Sequence, residues 1–493
     1  MRRSGFQAAG KTRVGGSQRR PKDQQRQSPD SSPTGSRREA PAHRPDRGSP
    51  SRQPPPKPRA RGPLTEEPPA PRARGPRSRP AGPPGAGPRK PPAAERLPLP
   101  DRPSSPDRPE PRERPPSPEA LLAAYRPDIS EALLGLSSPT YRYSQVFEHL
   151  LRRPLRPFSE ATILPSDVRA TLDTLGASTL AEVEARTAPD RTTKLLLSAR
   201  DAKRLETVIM RYRERVTVCA SSQVGCPVAC LFCATGAMGL ERNLTSAEIV
   251  DQVRACSAIS GEEGRRISNL VYMGMGEPLL NLQAVLDSIR ILTDSRGLGL
   301  AHRAISVSTI GIPSGIVRLA RAEPQVNLAV SLHAADDQTR AFLVPQRFRH
   351  PLAEILAASW EHFALTRRKL LIEYVLLRSV NDSVEDARAL AGLLKGHVVA
   401  VNLLNWNPVP RAGTHEAFQP STPAAVSAFK DVLIAAHIET VVRQSKGASI
   451  QGACGQLAGR RGGSGGLVPG RPQRLQPSDP RAARLLSAGV ARW

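Results

Sequence analysis

Short apolar runs alternate with amphipathic stretches from about residue 206 to residue 443. The runs are five to eight residues long and rich in Val, Ile and Leu, which is typical of buried β-strands. They predict strands at 206–211, 215–220, 269–273, 304–309, 326–332, 369–376, 398–404 and 437–443. Between most of them, apolar residues recur at helical spacing and predict helices at 246–258, 282–292, 313–322, 353–365 and 384–394.

A strand followed by a helix, repeated along the chain, predicts parallel βαβ units with right-handed crossovers. About six such units suit a partial TIM-like barrel, so we predict an α/β fold with a partial (βα)6 barrel at 191–459. Chemistry in such barrels lies at the carboxyl ends of the strands. Apolar residues at helical spacing between 120 and 175 predict a small helical module at 118–190 in front of the barrel.

Both ends of the chain differ from this core in composition. Residues 1–120 contain 30 of the 50 prolines, and apart from the first residue the only large apolar side chains before residue 97 are Phe6, Val14 and Leu64. Such a segment buries too little apolar surface to offset the entropy of ordering, so we predict disorder at 1–117 and at the low-complexity stretch 460–493. The tails carry most of the formal net charge of +26. Two interpretations stay open: nonspecific RNA affinity through release of counterions, and a composition produced by high-GC codon bias, which we favour.

Composition also excludes several classes of protein. No apolar run approaches the roughly 18 residues of a membrane span, and six cysteines in 493 residues do not make a disulfide scaffold. The first twenty residues are basic and free of acids, as in an organelle transit peptide, but no amphipathic apolar face develops in them. We therefore expect an unprocessed cytoplasmic protein without membrane contact.

Four cysteines lie within fifteen residues of one another, and Cys454 lies far downstream. The spacing Cys226-x3-Cys230-x2-Cys233 places three thiolates on one short loop, where they can bind three irons of a 4Fe-4S cube and leave the fourth iron open. A structural zinc site is the competing interpretation, although zinc prefers four closed ligands. Cys256, in a predicted helix, is expected to be a core residue.

This spacing resembles that of the radical S-adenosylmethionine enzymes, in which the open iron binds S-adenosylmethionine and one electron cleaves it to a 5′-deoxyadenosyl radical. The segment at 273–278 follows a predicted strand, and the resemblance implies that Gly276 permits close approach to the methionine moiety while Glu277 accepts from its ammonium group. The other residues implied in cofactor binding follow later strands and are Ser308, Ser331, Leu332, His333 and Asn407.

Longer segments resemble the RNA adenine C-methyltransferases of the RlmN/Cfr family. They are Cys219-Ala220-Ser221-Ser222-Gln223-Val224-Gly225-Cys226, Asn243-Leu244-Thr245, 274–281, Ser331-Leu332-His333 and Ala453-Cys454-Gly455-Gln456-Leu457. The resemblance covers about residues 141 to 459 and implies methylation of an adenosine in 23S ribosomal RNA, with tRNA as a further candidate, at carbon 2 in the RlmN branch. It also implies an electron donor such as flavodoxin or ferredoxin and a monomeric enzyme.

The same resemblance implies catalytic roles for Cys454 and Cys219, which bind no iron. Cys454 takes a methyl group from one S-adenosylmethionine, and the radical made from a second abstracts hydrogen from that S-methyl group, so two molecules are used per turnover. The carbon radical then joins the adenine ring. Cys219 is expected to act as a base and to release the product by forming a disulfide with Cys454, and Glu206 matches a proton acceptor of the family.

Two segments depart from the family pattern. Ser449-Ile450-Gln451 stands where near relatives have Asp-Ile-Asp, so two carboxylates are missing beside Cys454, and Pro345-Gln346-Arg347 replaces a usual Pro-Ile-Asn. Three alternatives stay open: methylation at adenine carbon 8 as in Cfr-like antibiotic resistance, a noncatalytic zinc-containing RNA-binding protein, and a radical enzyme acting on a small molecule. The helical module disfavours the last, because the resemblance implies that this module grips RNA. Its candidate phosphate contacts are Arg152, Arg153 and Arg156, for which a solvated basic helix end is the alternative interpretation.

Overall fold

The computed structural model describes residues 116–345, 348–409 and 418–459. The tails predicted to be disordered, at 1–117 and 460–493, lie outside the described residues, apart from residues 116 and 117. Gln346 and Arg347, in the second segment that departs from the family pattern, also lie outside them. Across these three ranges, no helix combines the length and the hydrophobicity that a membrane crossing requires.

One large sheet and one small hairpin contain the strands of the described residues. In chain order these strands are β1 (Leu180–Thr187), β2 (Thr193–Ala199), β3 (Arg204–Arg211), β4 (Val216–Cys219), β5 (Gln223–Gly225), β6 (Leu240–Asn243), β7 (Asn269–Tyr272), β8 (Ile305–Thr309), β9 (Asn327–Ser331), β10 (Leu370–Leu376), β11 (Val399–Asn405) and β12 (Glu439–Arg443). The large sheet has the order β1-β2-β3-β4-β7-β8-β9-β10-β11-β12, and β5 pairs with β6. From β4 to β12 all neighbours in the large sheet are parallel.

Helices cover the parallel strands and form a module in front of them. They are α1 (Pro118–Tyr125), α2 (Pro127–Gly135), α3 (Thr140–Arg152), α4 (Ser166–Leu175), α5 (Ala234–Met238), α6 (Ser246–Glu262), α7 (Leu282–Thr293), α8 (Pro313–Ala322), α9 (Asp337–Leu343), α10 (Leu352–Thr366), α11 (Val384–Leu394) and α12 (Pro423–Ala435). Each of the six connections between successive parallel strands contains one long helix; these are α6, α7, α8, α10, α11 and α12, and the shorter α5 and α9 lie in the first and fourth connections. The predicted partial (βα)6 barrel is confirmed, and each predicted strand lies within two residues of the observed bounds.

The structure differs from the prediction just before the barrel. The module predicted to be helical over 118–190 has helices only as far as Leu175, and residues 180–187 form β1. Strands β1, β2 and β3 are antiparallel, and β3 pairs with β4, so a meander extends one edge of the barrel sheet. Strand β1 could not be predicted from the sequence, because it is an edge strand in which Leu180 is the single buried residue. Its sequence therefore lacks a clear alternation of apolar and polar residues.

Capping side chains set where the barrel helices begin. Thr245 accepts from the Glu248 amide and Glu248 accepts from the Thr245 amide, which starts α6, and Ser383 and Asp386 do the same at α11. Such reciprocal bonds satisfy amides that the helix itself leaves unpaired. These helices bury the parallel strands on their outer face, and β9 and β10 consist largely of buried apolar residues.

Buried polar contacts hold the helical module against the barrel. Arg254 of α6 has no exposed side-chain surface, and it donates to the Leu150 carbonyl of α3 and to Asp251. Tyr125 of α1 donates to the same Asp251 carboxylate at 2.6 Å. At the end of α3, Arg152 donates to the Arg296 carbonyl at 2.7 Å, so this predicted RNA contact is engaged in docking the module.

Candidate active site

The carboxyl ends of the parallel strands enclose a cavity, called the strand-end cavity here. Ten of the thirteen predicted site residues line it: Cys226, Cys230, Cys233, Gly276, Glu277, Ser308, Ser331, His333, Asn407 and Cys454. They come from segments spread over more than 200 residues of sequence, and parallel strands bring them together because their carboxyl ends meet at one edge. Cys219, Glu206 and Leu332 lie outside the lining of this cavity.

The three clustered cysteines lie on the loop between β5 and α5. The Cys226 amide donates to the Gly239 carbonyl at 2.9 Å, which ties the loop to the β5–β6 hairpin. Gly225 has a φ of 75°, and a Cβ there would lie 1.8 Å from the Gly239 oxygen, so only glycine fits before Cys226. All three thiols are partly buried and face the same cavity.

These cysteines fit an iron-sulfur cube better than a zinc ion. The loop supplies three cysteines, whereas a structural zinc site takes four closed ligands. Zinc needs all its ligands at about 2.0–2.3 Å from one centre, whereas each thiolate of a cube binds a different iron. Burial raises the pKa of Cys226 and Cys230, and neighbouring thiols raise it further, so a strongly cationic group is needed to hold them ionised.

Glu277 presents a buried carboxylate to the cavity. Its Oε1 accepts from the Leu279 amide at 3.0 Å, and its Oε2 accepts from the Ile310 amide at 2.8 Å. Burial raises its pKa to about 6 in spite of these hydrogen bonds. Gly276 brings the backbone close, since its φ is 100° and a Cβ would lie 2.6 Å from the Gln223 side chain. A carboxylate with lone pairs left over suits an ammonium group.

Polar groups at the ends of β8 and β9 form the opposite part of the lining. The hydroxyl oxygens of Ser308 and Ser331 lie 3.3 Å apart. His333 Nδ1 accepts from the Val375 amide at 3.1 Å, so the neutral ring carries its proton on Nε2. Burial and the Arg340 charge lower the pKa of His333 to about 3, which keeps the ring neutral. A neutral N–H donor and two hydroxyls can hydrogen-bond a nucleoside.

Leu332 differs from the other predicted cofactor residues. Its side chain is fully buried, and its amide donates to the Glu373 carbonyl at 3.1 Å. Its carbonyl accepts from Arg340 at 3.1 Å. Leu332 therefore holds the backbone between Ser331 and His333 in place.

Sequence reasoning missed several residues around the cavity. Asn381 donates to the His333 carbonyl at 2.8 Å, and Trp406 donates from Nε1 to the Phe232 carbonyl at 2.9 Å. Arg443 lies 3.6 Å from Glu373, and both line the strand-end cavity. Arg443 was detectable, because it is the polar residue that closes a predicted strand; Asn381 gave no such signal.

Cys454 lies where the strand-end cavity meets a second one, called the thiol cavity here. The thiol cavity is lined by Val208, Met210, Tyr212, Cys219, Val271, Met273, Leu404, Asn407, Arg443, Gln444, Ser445, Lys446, Gly452, Ala453, Cys454 and Leu457. Hydrogen bonds to α5 help to fix the segment after Cys454: the Ala234 amide donates to the Gly455 carbonyl at 2.7 Å, and Thr235 Oγ1 donates to the Leu457 carbonyl at 2.6 Å. The Cys454 side chain is exposed to these cavities, yet it is enclosed by protein, which raises its pKa.

Cys219, at the end of β4, lines the thiol cavity but not the strand-end cavity. Burial raises its pKa, the neighbouring Cys454 thiol raises it further, and Arg443 opposes both effects. Cys219 and Cys454 are free thiols, so the predicted disulfide between them is not formed in this structure. Cys256 is fully buried at 3.9 Å from the Thr207 hydroxyl, and its predicted place in the core is confirmed.

Glu206 lies on β3, outside the linings of both cavities. Only 3% of the residue is exposed. Its carboxylate pairs with Lys194 at 2.9 Å and accepts from the Ala458 amide at 2.8 Å. Its predicted role as a proton acceptor stays a prediction, because its partners in the structure are the Lys194 ammonium and a backbone amide.

Comparison with known proteins agrees with this geometry. Residues 221–391 match the model of the Radical SAM superfamily. A probable dual-specificity RNA methyltransferase RlmN from Thermus thermophilus is 43% identical over 348 residues, which cover 70% of this chain and 94% of that protein. A dual-specificity RNA methyltransferase RlmN from Syntrophobacter fumaroxidans is 40% identical over 66% of this chain and 94% of its own length.

A solved structure gives the same result. The crystal structure of a radical SAM methyltransferase from Sphaerobacter thermophilus aligns with a TM-score of 0.64 and 43% identity, over 67% of this chain and 96% of that one. Members of the superfamily use a 4Fe-4S cluster and S-adenosylmethionine, and the three thiols and Glu277 of the strand-end cavity suit both. The chain therefore belongs to the RlmN family of radical S-adenosylmethionine RNA methyltransferases.

Proposed function

We propose that this enzyme methylates carbon 2 of an adenosine in 23S ribosomal RNA, with tRNA as a second substrate. The dual-specificity names of its relatives support two RNA substrates. The observation that carries the proposal is the position of Cys454, which lines both cavities, while Cys219 lines only the thiol cavity. A sulfur that takes up a methyl group in one cavity and delivers its carbon to a base in the other must face both.

In this proposal the cofactors occupy the strand-end cavity. Cys226, Cys230 and Cys233 hold the cluster, and Glu277 accepts from the ammonium group of S-adenosylmethionine. The ribose, adenine and carboxylate of that cofactor are bound by five further residues of the lining, Gly276, Ser308, Ser331, His333 and Asn407. When bound, S-adenosylmethionine, two molecules per turnover, supplies the methyl group and, with an electron from the cluster, a 5′-deoxyadenosyl radical.

The target adenine enters the thiol cavity in this proposal. The Cys454 thiolate accepts the methyl group, and the methylene carbon that remains after hydrogen abstraction bonds to adenine carbon 2. One electron would pass from the adduct to the cluster held by the three cysteines, and a thiolate at Cys219 then takes the proton from carbon 2 and releases it to solvent. A thiolate at Cys219 then attacks the Cys454 sulfur, which forms the disulfide, breaks the bond from sulfur to the methylene carbon and leaves that carbon to take up a proton as the new methyl group.

Arg443 supports these roles of the two cysteines. It lines both cavities, and its charge lowers the pKa of Cys219 and of Cys454 against the effect of burial. A thiolate, not a thiol, is the nucleophile in methyl transfer and in disulfide formation. Reduction of the disulfide by an external thiol restores the starting state, and a donor such as flavodoxin or ferredoxin is the proposed source of electrons for the radical step.

The test uses RNA modified by the anaerobically reconstituted, full-length enzyme. Mass spectrometry of its nucleosides should show 2-methyladenosine, and adenosine labelled with deuterium at carbon 8 should keep its label. Loss of that label would instead establish carbon-8 methylation. The Cys454→Ala variant should form no product, and the matched Cys256→Ala variant, in which a core thiol is removed, should still form it. Product from Cys454→Ala would contradict the proposed route.

A further inference from the structure

The segment that carries Cys454 is anchored to the antiparallel meander on both sides of the cysteine. Lys194 of β2 donates from Nζ to the Gln451 carbonyl at 3.2 Å, three residues before Cys454. Glu206 of β3 accepts from the Ala458 amide at 2.8 Å, four residues after it. The Lys194 and Glu206 side chains form an ion pair at 2.9 Å, so the two anchors are joined.

The ion pair between Lys194 and Glu206 is largely shielded from water, so water cannot readily replace either partner. The Lys194 side chain is 10% exposed and that of Glu206 is 4% exposed. The strands β2 and β3 are neighbours, with Leu196 opposite Glu206 in the register, so the sheet fixes the spacing of the two charges. A buried pair with hydrogen bonds to a third segment sets the position of that segment more sharply than an exposed pair can.

We propose that Lys194 and Glu206 act together as positioning residues that hold the Cys454 segment at the junction of the two cavities. This inference rests on the proposed role of Cys454 as the methyl carrier. It assigns a task to the meander, and it gives Glu206 a role through the backbone of the Cys454 segment. Neither Lys194 nor Glu206 is among the described residues that line the thiol cavity, which receives the adenine in the proposed function.

The positioning role and the proton-acceptor role of Glu206 predict that different substitutions impair the enzyme. Glutamine at 206 still accepts from the Ala458 amide but cannot take up a proton. Methionine at 194 keeps most of the side-chain length but removes the donor to Gln451 and the partner of Glu206. Positioning therefore depends on Lys194, whereas proton transfer by Glu206 alone does not require the bond from Lys194 to Gln451.

The experiment measures hydrogen exchange of backbone amides in the full-length, cluster-loaded protein. In Lys194→Met, the peptide spanning 448–458 should exchange at least about tenfold faster, because local opening no longer has to break the bond to the Gln451 carbonyl and Glu206 has lost its ion-pair partner. Lys194→Arg should restore protection, and Glu206→Gln should keep the Ala458 amide protected. The matched control Lys203→Met breaks an exposed pair with Glu241 in the same meander and should leave this peptide unchanged.

The fraction of Cys454 that carries a methyl group is measured on the same samples by peptide mass. It should fall in Lys194→Met and recover in Lys194→Arg. If Lys194→Met does not fold, the double variant with Glu206→Gln removes the unpaired buried charge and answers the same question. Unchanged exchange of 448–458 in the folded variant overturns the positioning role. This readout is independent of which adenine carbon is methylated, so failure of either proposal is seen separately.

Discussion

At the scale of single residues, the site depends on where Cys454 and Cys219 lie. Cys454 faces two cavities and Cys219 faces one, and Arg443 reaches both. Ser449 and Gln451 are uncharged, so neither adds a negative charge beside Cys454 that would oppose the effect of Arg443 on its pKa. Gln451 contributes its backbone carbonyl, which any residue at that position supplies.

Removal of the Cys219 thiol should trap the enzyme on its product. The Cys219→Ala variant still bonds Cys454 to adenine through one carbon, but no second sulfur is present to break that bond. We expect a covalent complex of protein and RNA to accumulate and free methylated RNA to fall by at least about 100-fold, as for loss of a positioned base. Denaturing electrophoresis with labelled RNA measures it. Free product at the normal rate without a complex would contradict this role.

Binding of S-adenosylmethionine should weaken as the pH falls through about 6. Burial raises the pKa of Glu277 to about 6, so below this pH the carboxyl group is protonated and cannot accept from the ammonium group. The charge of Arg340 lowers the pKa of Glu277. The charge of Glu277 in turn raises the pKa of the Cys226 thiol. Loss of a hydrogen bond to a charged group costs about 1.5–3 kcal/mol, or roughly tenfold or more in affinity.

Equilibrium dialysis between pH 5 and 8 measures this effect in the cluster-loaded protein. The Glu277→Gln variant should bind about tenfold more weakly at pH 7.5 and should lose the dependence near pH 6. A pH dependence that survives in Glu277→Gln would assign it to another group.

At the scale of elements, the β5–β6 hairpin sets the path of the cysteine loop. Gly225→Ala should abolish cluster loading, because its Cβ would lie 1.8 Å from the Gly239 oxygen. Gly239→Ala is the matched control, since its φ is 69° but nothing lies within 4 Å of its Cβ. The control should cost only about 1 kcal/mol of backbone strain and should still bind iron. Iron and sulfide analysis after anaerobic reconstitution compares the two, and equal iron content would contradict the packing argument.

The docking of the helical module on α6 gives a second prediction at this scale. Burial opposes ionisation of Asp251, but the Arg254 charge and hydrogen bonds from Thr179 and Tyr125 outweigh it and hold the pKa of Asp251 below its usual range. Its stabilisation is therefore present above pH 4 and is lost as the pH falls through the lowered pKa. Asp251→Asn leaves the Arg254 charge buried and should destabilise the fold by about 3–5 kcal/mol in urea unfolding. Exposed Asp167→Asn is the control, with a change below about 1 kcal/mol.

The sequence predicted the parallel strands well because each is a buried, almost continuous apolar run, as in β10. Parallel strands also made the strand-end residues predictable as a group. The meander was harder to see, since β1 is exposed on most of its length and its sequence has no strict alternation. The anchor from Lys194 to Gln451 joins residues 257 apart in sequence, and no local pattern reveals such a pair.

At the scale of the whole molecule, charge is distributed unevenly along the chain. Residues 1–115 contain 27 basic and 11 acidic residues, whereas residues 116–459 contain 37 basic and 33 acidic ones. The part with the two cavities is thus close to neutral for its length, and its module uses Arg152 for docking. From this charge distribution we expect long-range attraction to the phosphates of RNA to come mainly from the ends of the chain.

Deletion of residues 1–115 should therefore lower RNA affinity without moving the methylated position. Each phosphate contact that is lost should reduce the slope of log affinity against log salt by about 0.9 for duplex nucleic acid. Deletion of residues 460–493, with seven basic residues and one acidic residue, is the matched smaller change and should reduce the slope less. Filter binding from low to high salt measures the slopes, and nucleoside mass spectrometry measures the product. Because adenine selection takes place in the cavities, product identity should not change. Equal slopes for the full chain and both deletions would place all phosphate contacts within residues 116–459.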